Sequence, residues 1–239
     1  MAEHHHFVRE DGSVIDVAWT DRADGDFHID ASPHALAQRR QGVMAGSWAV
    51  VRQVHGNAVV GASDALASSE LLEADGIVTS VSDQPIAVQG ADCAPVALIT
   101  NRGPIGVAHA GWRGLACGIV ESLANALGAR SNQLGERVVI DRAVVGPVIC
   151  PACYEFGETD LARVVDALGE SVRASTRTGT PALDMRAGLV SAFDAVGVST
   201  VDFVGGCPAC EETGFSHRGR SDTERHCLVA RLVSGSLTS

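Results

Sequence analysis

Hydrophobic and polar positions along the chain predict more strands than helices. Short apolar runs rich in Val and Ile, bounded by Gly, Pro or Asp, recur throughout the sequence and have the length of strands. They cover residues 14–19, 48–54, 76–79, 86–89, 95–100, 105–108, 138–145, 201–204 and 227–233.

Apolar residues recur at helical spacing in four other segments, residues 36–44, 115–127, 161–168 and 185–196. We expect Gly128 to end the second of these helices, and Thr159 with Asp160 to cap the third. Because strands outnumber helices and several strands follow one another directly, the pattern predicts an α+β fold rather than a doubly wound α/β sheet.

The composition favours one large domain. The chain has 239 residues, of which 46% are hydrophobic, and no low-complexity linker interrupts it. We therefore expect one domain over residues 1–239. The formal net charge of -11 argues against non-specific binding of nucleic acid, so we expect no nucleic-acid partner.

Apolar runs and cysteines together predict the compartment. No apolar run is long enough to span a bilayer, and the N-terminal residues lack the apolar core of a signal peptide. Seven cysteines, an odd number, argue against a disulfide framework. We expect a cytoplasmic protein without membrane attachment, whose terminal His4, His5 and His6 are not ordered and form no metal site.

A histidine at the end of a strand is the first candidate for chemistry. Residues 104–114 carry His109 into a glycine-rich turn that opens a helix. Gly111 and Gly114 permit a sharp turn and close approach of a ligand. The N–H groups of the first helical turn, together with Arg113, would attract anions into the same space. The alternative is a strand-end histidine whose glycines serve only the turn.

Two further segments end in similar side chains. His55 follows the apolar run 48–54, and Asp92 with Cys93 precedes the run 95–100. Two imidazoles and one thiolate leave the fourth position of tetrahedral zinc open for water, as in catalytic zinc sites. We expect Asp92 to orient a histidine or that water. The same residues also suit a cysteine hydrolase, with Cys93 as nucleophile and His109 as base.

Five short motifs occur in a fixed order along the chain. They are Arg-Gln-Val-His-Gly (52–56), Ala-Asp-Gly-Ile-Val-Thr (74–79), Ala-Asp-Cys-Ala-Pro-Val (91–96), Ala-His-Ala-Gly-Trp-Arg-Gly (108–114) and Gly-Pro-Val-Ile-Cys-Pro-Ala-Cys-Tyr-Glu (146–155). Together they resemble the laccase-domain family, whose members are called polyphenol oxidase, peptidoglycan editing factor or laccase-domain purine nucleoside phosphorylase. The resemblance covers residues 45–233. It implies mixed β-sheets sandwiched between helices, in a cytotoxic-necrotizing-factor-like architecture.

The resemblance also implies a metal and a reaction. In the family, the residues that match His55, Cys93 and His109 bind one zinc ion. The implied activity cleaves adenosine, inosine and related nucleosides with phosphate to ribose 1-phosphate and free base, with some deamination of adenosine. We expect Cys93, His109 and Asp92 to be the catalytic residues, and a purine nucleoside and phosphate to be the partners. The resemblance fixes neither the preferred nucleoside nor the oligomeric state.

Other activities at the same site stay open. Copper binds nitrogen and sulfur ligands tightly, so copper in place of zinc would permit oxidation of phenols. The nine histidines are nevertheless too scattered for the clusters of a multicopper oxidase. The deaminase motifs His-x-Glu and Pro-Cys-x-x-Cys are absent, so deamination would use a different ligand frame. A zinc-bound relative without catalysis, or one that edits peptidoglycan precursors, is a further alternative.

Phosphate requires local positive charge in an acidic protein. The candidate substrate and phosphate ligands are Arg52, Gln53, Arg113, Arg218 and Arg225.

The chain departs from the family pattern near both termini. The differences lie at residues 24–30, 38–39, 215–219 and 223–225. Since these segments are expected to border the substrate or phosphate pocket, a zinc-binding paralogue with altered catalysis is an alternative.

Two Cys-x-x-Cys motifs form a second group of candidate ligands. Cys150 with Cys153, and Cys207 with Cys210, would close a structural zinc site of four thiolates if the fold brings them together. The interval between the motifs is far longer than in compact zinc ribbons. A thioredoxin-like redox role is less consistent with the pattern, because neither motif lies in a βαβ unit.

Overall fold

The computed structural model describes residues 1–135 and 138–233, and within them the chain forms twelve strands and seven α-helices. In chain order these are β1 (Glu3–Val8), β2 (Val14–Trp19), α1 (Pro33–Val43), β3 (Val59–Gly61), α2 (Ala62–Ala67), β4 (Gly76–Thr79), β5 (Ile86–Gly90), β6 (Ala94–Thr100), β7 (Ile105–Ala110), α3 (Trp112–Ala116), α4 (Ile119–Gln133), β8 (Ile140–Val145), α5 (Glu158–Leu168), β9 (Arg173–Ser175), β10 (Pro181–Leu183), α6 (Met185–Ala195), β11 (Thr200–Phe203), α7 (His217–Arg220) and β12 (His226–Val233). Residues 136–137 and 234–239 lie outside this part, so one domain over residues 1–239 stays a prediction.

The strands form two principal sheets. The six-stranded sheet has the order β11-β8-β6-β7-β4-β3; its two outer pairs are parallel and its three inner pairs are antiparallel. The four-stranded sheet, β1-β2-β12-β5, is antiparallel throughout. A short antiparallel ribbon joins β9 and β10.

Alternating side chains place both sheets between helices. In β6, Val96 and Leu98 pack into the cluster that contains α4 and α6, while Ala97 and Ile99 face the four-stranded sheet. The opposite face of the four-stranded sheet, including Val229, packs against α1. The layers therefore run from helices through two sheets to a helix, which confirms the predicted α+β fold and the sandwiched sheets.

One predicted strand is wrong. Among the described residues, residues 48–54 pair only through isolated bridges, at Ala49 with Ile86 and at Arg52 with Glu73. Near the end of the segment, the side chain of Gln53 takes the place of backbone pairing with β5. Its amide donates to the carbonyl of Gln89 at 2.9 Å and accepts from the N–H of Gln89 at 2.8 Å. The segment thereby leaves the sheet edge before it reaches His55.

Two predictions of helix ends are also wrong. Gly128 lies inside α4, because one interior glycine costs only about 1 kcal/mol and the buried apolar face from Ile119 to Leu127 already holds the helix in place. The segment does break earlier, at Gly118, whose φ of 82° separates α3 from α4. The N-cap of α5 is Gly157, so Thr159 and Asp160 lie in the first turn instead of preceding it.

The N-terminal histidines are ordered in the structure, contrary to expectation. Residues 3–8 form β1, which pairs with β2 as an edge strand. His4 and His6 lie 3.1 Å and 3.6 Å from the buried carboxylate of Asp16. A run of polar residues forms this strand because β2 supplies a complete set of backbone partners. No helix among the described residues is long and apolar enough to cross a bilayer.

Candidate functional site

Three predicted ligands converge where the chain passes from one sheet to the other. Cys93 lies in the turn between β5 of the four-stranded sheet and β6 of the six-stranded sheet, and His109 lies in β7, directly opposite Pro95 of β6. His55 approaches from the loop before β3. The ligand atoms of His55, Cys93 and His109 all lie within 4.8 Å of one another, and Cys93 Sγ is 4.0 Å from His55 Nε2.

This donor set fits a tetrahedral metal ion. Bonds of about 2.0–2.3 Å to zinc separate neighbouring nitrogen and sulfur ligands by roughly 3.3–3.8 Å. The spacing of Cys93 and His55 exceeds that range by a few tenths of an ångström. His109 is buried, Cys93 is half-buried and His55 is exposed, so the group is open to solvent on one side. These residues could therefore hold a metal with one position left free.

A buried carboxylate that sequence reasoning did not assign orients two of these ligands. Asp75 accepts a hydrogen bond from His109 Nδ1 at 2.9 Å, which leaves Nε2 of that ring available as a ligand atom. It also accepts from the backbone N–H groups of Val54, His55 and Gly56, at 3.2, 3.0 and 2.7 Å. Asp75 thus fixes both the ring of His109 and the loop that carries His55.

A signal for Asp75 was present in the sequence. It belongs to the motif 74–79 and directly precedes β4, which pairs with the strand that carries His109. Only the register of β4 against β7, with Gly76 opposite Ala108, brings the carboxylate next to the imidazole.

The three side chains form a polarised group. Burial tends to raise the pKa of the Cys93 thiol, but the neighbouring His109 and His55 outweigh burial and lower the pKa to about 6. Burial tends to lower the pKa of His109, but Cys93 and Asp75 raise it to about 9. Burial also opposes ionisation of Asp75, yet hydrogen bonds from His109 and Gly56 hold its pKa below the usual value. Without a metal ion, these shifts in pKa favour a thiolate at Cys93 beside an imidazolium at His109 near neutral pH.

Close packing around the ligands explains the two glycines of the histidine turn. A Cβ atom on Gly111 would lie 2.8 Å from His55 Cδ2 and 3.1 Å from Cys93 Sγ. A Cβ atom on Gly114 would lie 2.7 Å from the carbonyl oxygen of Gly56. Any larger side chain at either position would displace a ligand or the loop that carries it.

Asp92 contacts the C-terminal part of the chain and not the histidines. Its carboxylate accepts from Ser216 Oγ at 2.6 Å and from the backbone N–H of Arg218 at 2.6 Å. The backbone of Asp92 has a φ of 93°, which a non-glycine residue adopts only under constraint. The structure thus places Asp92 as the link between the Cys93 turn and α7.

The candidate ligands open into a cavity of about 380 Å³. Of the predicted substrate ligands, Gln53, Arg113, Arg218 and Arg225 line it, and Arg52 does not. The cavity wall also includes His28, Trp112, Tyr154 and His217, which sequence reasoning did not assign. Burial, reinforced by charge on nearby Cys93, raises the pKa of the Tyr154 phenol, so it remains a neutral hydroxyl.

Some of the polar side chains that line the cavity already form hydrogen bonds with the backbone. The Arg225 guanidinium donates to the carbonyl oxygens of Asp222, Thr223 and Glu224, at 3.3, 2.8 and 2.8 Å. The amide of Gln53 is occupied by the backbone of Gln89. These bonds occupy the amide of Gln53 and Nη1 of Arg225.

Two arginines present their charge to the cavity. The guanidinium of Arg113 stacks on Trp112 at 4.5 Å, and that of Arg218 stacks on Tyr154 at 5.0 Å. Neither forms an ion pair with a carboxylate in the part of the chain that the structure describes. Because α3 has only five residues, the attraction of an anion here depends on these side chains more than on the helix N-terminus.

Comparison with known proteins agrees with this fold. The family model described as multi-copper polyphenol oxidoreductase laccase matches residues 5–232, and the chain belongs to this laccase-domain family. A purine nucleoside phosphorylase of Corynebacterium glutamicum is 33% identical over 213 residues, which are 86% of this chain and 85% of the relative.

A second relative carries a different activity in its name. An adenosine deaminase from an unknown prokaryotic organism, RL5, is 33% identical over 151 residues, 59% of this chain and 55% of that protein. Among solved structures, the Neisseria meningitidis protein NMB0706 superposes with a TM-score of 0.77 at 22% identity, over 98% of this chain and 99% of that one. The structural match supports the fold.

Proposed function

We propose that this protein is a zinc-dependent purine nucleoside phosphorylase. The observation that carries the proposal is the convergence of His55, Cys93 and His109 on one side of a cavity whose wall presents the charges of Arg113 and Arg218. The relatives named as purine nucleoside phosphorylases support the assignment of substrates. The substrates would be a purine nucleoside, such as inosine or adenosine, and inorganic phosphate.

His55, Cys93 and His109 would hold the zinc ion. When bound, the metal supplies Lewis acidity next to the substrate. Asp75 keeps the proton on Nδ1 of His109, so Nε2 remains the ligand atom. Through Ser216 and the N–H of Arg218, Asp92 acts as a positioning residue for α7 and its arginine.

Phosphate would bind between Arg113 and Arg218. In the reaction, a phosphate oxygen forms a bond to C1′ of the ribose while the bond from C1′ to the purine nitrogen breaks. The purine leaves with the electron pair and takes up the proton that the hydrogen phosphate dianion releases. Two guanidinium groups offset the charge of the incoming dianion, and stacking on Trp112 and Tyr154 holds them in place.

The test is release of hypoxanthine from inosine by the zinc-loaded protein, measured with and without phosphate. We expect release to depend on phosphate and to fall about a hundredfold or more in Cys93→Ala and in His109→Ala. Cys117→Ala is the matched control, since Cys117 is an exposed free thiol apart from the ligand group and should leave the rate unchanged. Phosphate-independent turnover, or full activity of Cys93→Ala, would contradict the proposal.

A variant of the phosphate ligands separates binding of the two substrates. Loss of a charge-assisted contact costs about 1.5–3 kcal/mol, so Arg113→Ala should raise the KM for phosphate by roughly 10- to 100-fold. The KM for inosine should change much less. Arg52→Ala is the control, because Arg52 lies outside the cavity wall, 3.7 Å from Asp30.

Two other activities have specific support. The relative named as an adenosine deaminase favours a second reaction on adenosine, which would appear as conversion to inosine without phosphate. The thiolate–imidazolium pair of Cys93 and His109 favours a cysteine hydrolase, which would stay active after removal of metal by a chelator. Full activity of the metal-free protein would therefore favour the hydrolase and contradict the phosphorylase mechanism.

A further inference from the structure

Four cysteines outside the candidate active site form a second cluster. Cys150 precedes a single 3-10 turn after β8 and Cys153 ends it, and Cys207 and Cys210 lie in the segment after β11. The four sulfur atoms all lie within 4.8 Å of one another. Cys210 Sγ is 3.3 Å from Cys153 Sγ and 3.7 Å from Cys150 Sγ.

These distances suit four thiolates around one metal ion. Zn–S bonds of about 2.3 Å in a tetrahedron separate the sulfurs by roughly 3.8 Å. A disulfide requires about 2.05 Å, and closing one would draw two of the four sulfurs out of the cluster. All seven cysteines are free in the structure.

Both Cys-x-x-Cys segments fold into similar turns. The N–H of Cys153 donates to the carbonyl of Cys150 at 3.0 Å, and the N–H of Cys210 donates to the carbonyl of Cys207 at 3.0 Å. Each turn directs its two sulfurs to the same side. Because β8 and β11 are adjacent parallel strands, the segments that follow them emerge at the same edge of the sheet.

Donors placed on the sulfurs provide an independent observation. The backbone N–H of Cys150 donates to Cys207 Sγ at 3.2 Å, and Nη2 of Arg177 donates to Cys210 Sγ at 3.0 Å. Hydrogen bonds from an N–H group and from a guanidinium stabilise negative charge on sulfur. Arg177 lies between β9 and β10, so a third segment contributes charge to the cluster.

We propose that Cys150, Cys153, Cys207 and Cys210 bind a second zinc ion in a closed, structural site. Binding replaces the thiol protons, which pass to solvent, and no oxidant is required. Zn²⁺ with four thiolates carries a net charge of about −2, which the guanidinium of Arg177 partly offsets. With four protein ligands no position stays open for substrate, so this ion acts on structure and not on the reaction.

The second zinc site would link two segments that form the cavity wall. Cys153 directly precedes Tyr154, on which Arg218 stacks. The segment of Cys207 and Cys210 is held to α7 by Arg220, whose Nη2 donates to the carbonyl of Pro208 at 2.8 Å. The second zinc would therefore fix Tyr154 and Arg218 relative to each other without touching the substrate.

The experiment is a count of metal ions per chain by mass spectrometry, on the full chain purified under reducing conditions with zinc. We expect two zinc ions in the wild type, one in Cys93→Ala/His109→Ala, and one in Cys150→Ser/Cys207→Ser. Cys117→Ser, which alters an exposed thiol outside both clusters, should retain two.

Thiol alkylation gives a readout that needs no variant. In the native zinc-loaded protein, the four cysteines of this cluster should resist alkylation, and treatment with a chelator should expose all four together.

Cobalt substitution gives a spectroscopic readout. In Co²⁺-substituted Cys93→Ala/His109→Ala protein, absorption typical of tetrahedral cobalt thiolate should persist, and it should disappear when Cys150→Ser is added.

Several outcomes would overturn this proposal. They are a wild type with one zinc ion and four freely alkylated cluster cysteines, a native disulfide within the cluster, or bound iron and sulfide instead of zinc. Nucleoside turnover plays no part in these measurements, so failure of the proposed activity and failure of the second site are distinguishable.

Discussion

At the scale of single residues, the candidate active site depends on a carboxylate that is not itself one of the candidate metal ligands. Asp75 is completely buried and joins His109 to the backbone of the His55 loop. Asp92, which the sequence predicted to orient a ligand because it is adjacent to Cys93, instead accepts hydrogen bonds from Ser216 and from the N–H of Arg218. Adjacency along the chain therefore identified the motif but not the carboxylate that orients the imidazole.

Replacing Asp75 tests this role. Asp75→Asn removes the negative acceptor for the His109 ring, and loss of such partners typically costs 10- to 100-fold in metal affinity. We expect a loss of that size for zinc, measured by competition with a chromophoric chelator. Asp202→Asn is the control, since Asp202 on β11 forms an ion pair with Arg142 on β8 and does not line the cavity. Unchanged zinc affinity in Asp75→Asn would show that the carboxylate only holds the loop.

At the scale of secondary-structure elements, short turns decide which side chains reach the site. The chain leaves β5 in one sheet and enters β6 in the other within residues 91–93, and this crossing presents Cys93. The turn after β7 brings Gly111 against His55 and Cys93. The helix that follows is broken at Gly118, so α3 is short and contributes little dipole to the cavity.

Alanine at two glycine positions should have different effects, one weakening zinc binding and the other raising stability. Gly111→Ala places a methyl group 2.8 Å from His55 Cδ2, so we expect weaker zinc binding in a protein that still folds. A Cβ atom on Gly128 meets no atom within 4 Å among the described residues, apart from its chain neighbours and the backbone of its own helix, so we expect Gly128→Ala to raise the unfolding free energy by about 1 kcal/mol.

Urea unfolding and zinc titration of both variants make the comparison. Destabilisation by Gly128→Ala would contradict the helical environment of that residue. Wild-type zinc affinity in Gly111→Ala would contradict the close packing of the ligands.

At the scale of the whole molecule, two sheets meet beside the cavity, and one buried histidine lies at their junction. His226 begins β12, is opposite Gly90 in register, and is fully buried. Neither ring nitrogen has a hydrogen-bond partner among the residues that the structure describes. Burial, with a smaller contribution from Arg225, lowers the pKa of His226 to about 4. The folded protein therefore holds this ring neutral.

This histidine should make stability depend on pH. Between pH 6.5 and pH 4 the unfolded chain binds a proton at His226 that the folded chain does not, so the unfolding free energy falls as pH is lowered. The loss from this residue amounts to about 3 kcal/mol in total and is complete below pH 4.

Urea unfolding over this pH range, compared between wild type and His226→Leu, isolates the contribution. His226→Leu should flatten the dependence, whereas His34→Gln, at an exposed position of α1, should not. An equal slope in wild type and His226→Leu would contradict the assignment.

Much of the fold was predictable because it follows from local patterns. Short apolar runs located eight of the nine predicted strands, and helical spacing located every long helix. β1 escaped prediction because its polar sequence becomes a strand only by pairing with β2. The strand predicted at residues 48–54 was wrong for the reverse reason, because the side-chain amide of Gln53 bonds the backbone of Gln89 where backbone pairing was expected.

The sequence by itself determined the identity of the three candidate ligands and the α+β class, because motif words and hydrophobic periodicity are local properties of the chain. Tertiary structure alone decided that Asp75 bonds His109, that Arg113 and Arg218 face the cavity while Arg52 does not, and that two distant Cys-x-x-Cys segments share one cluster. Those relations depend on strand register and on how segments far apart in sequence pack together, and no local pattern encodes either.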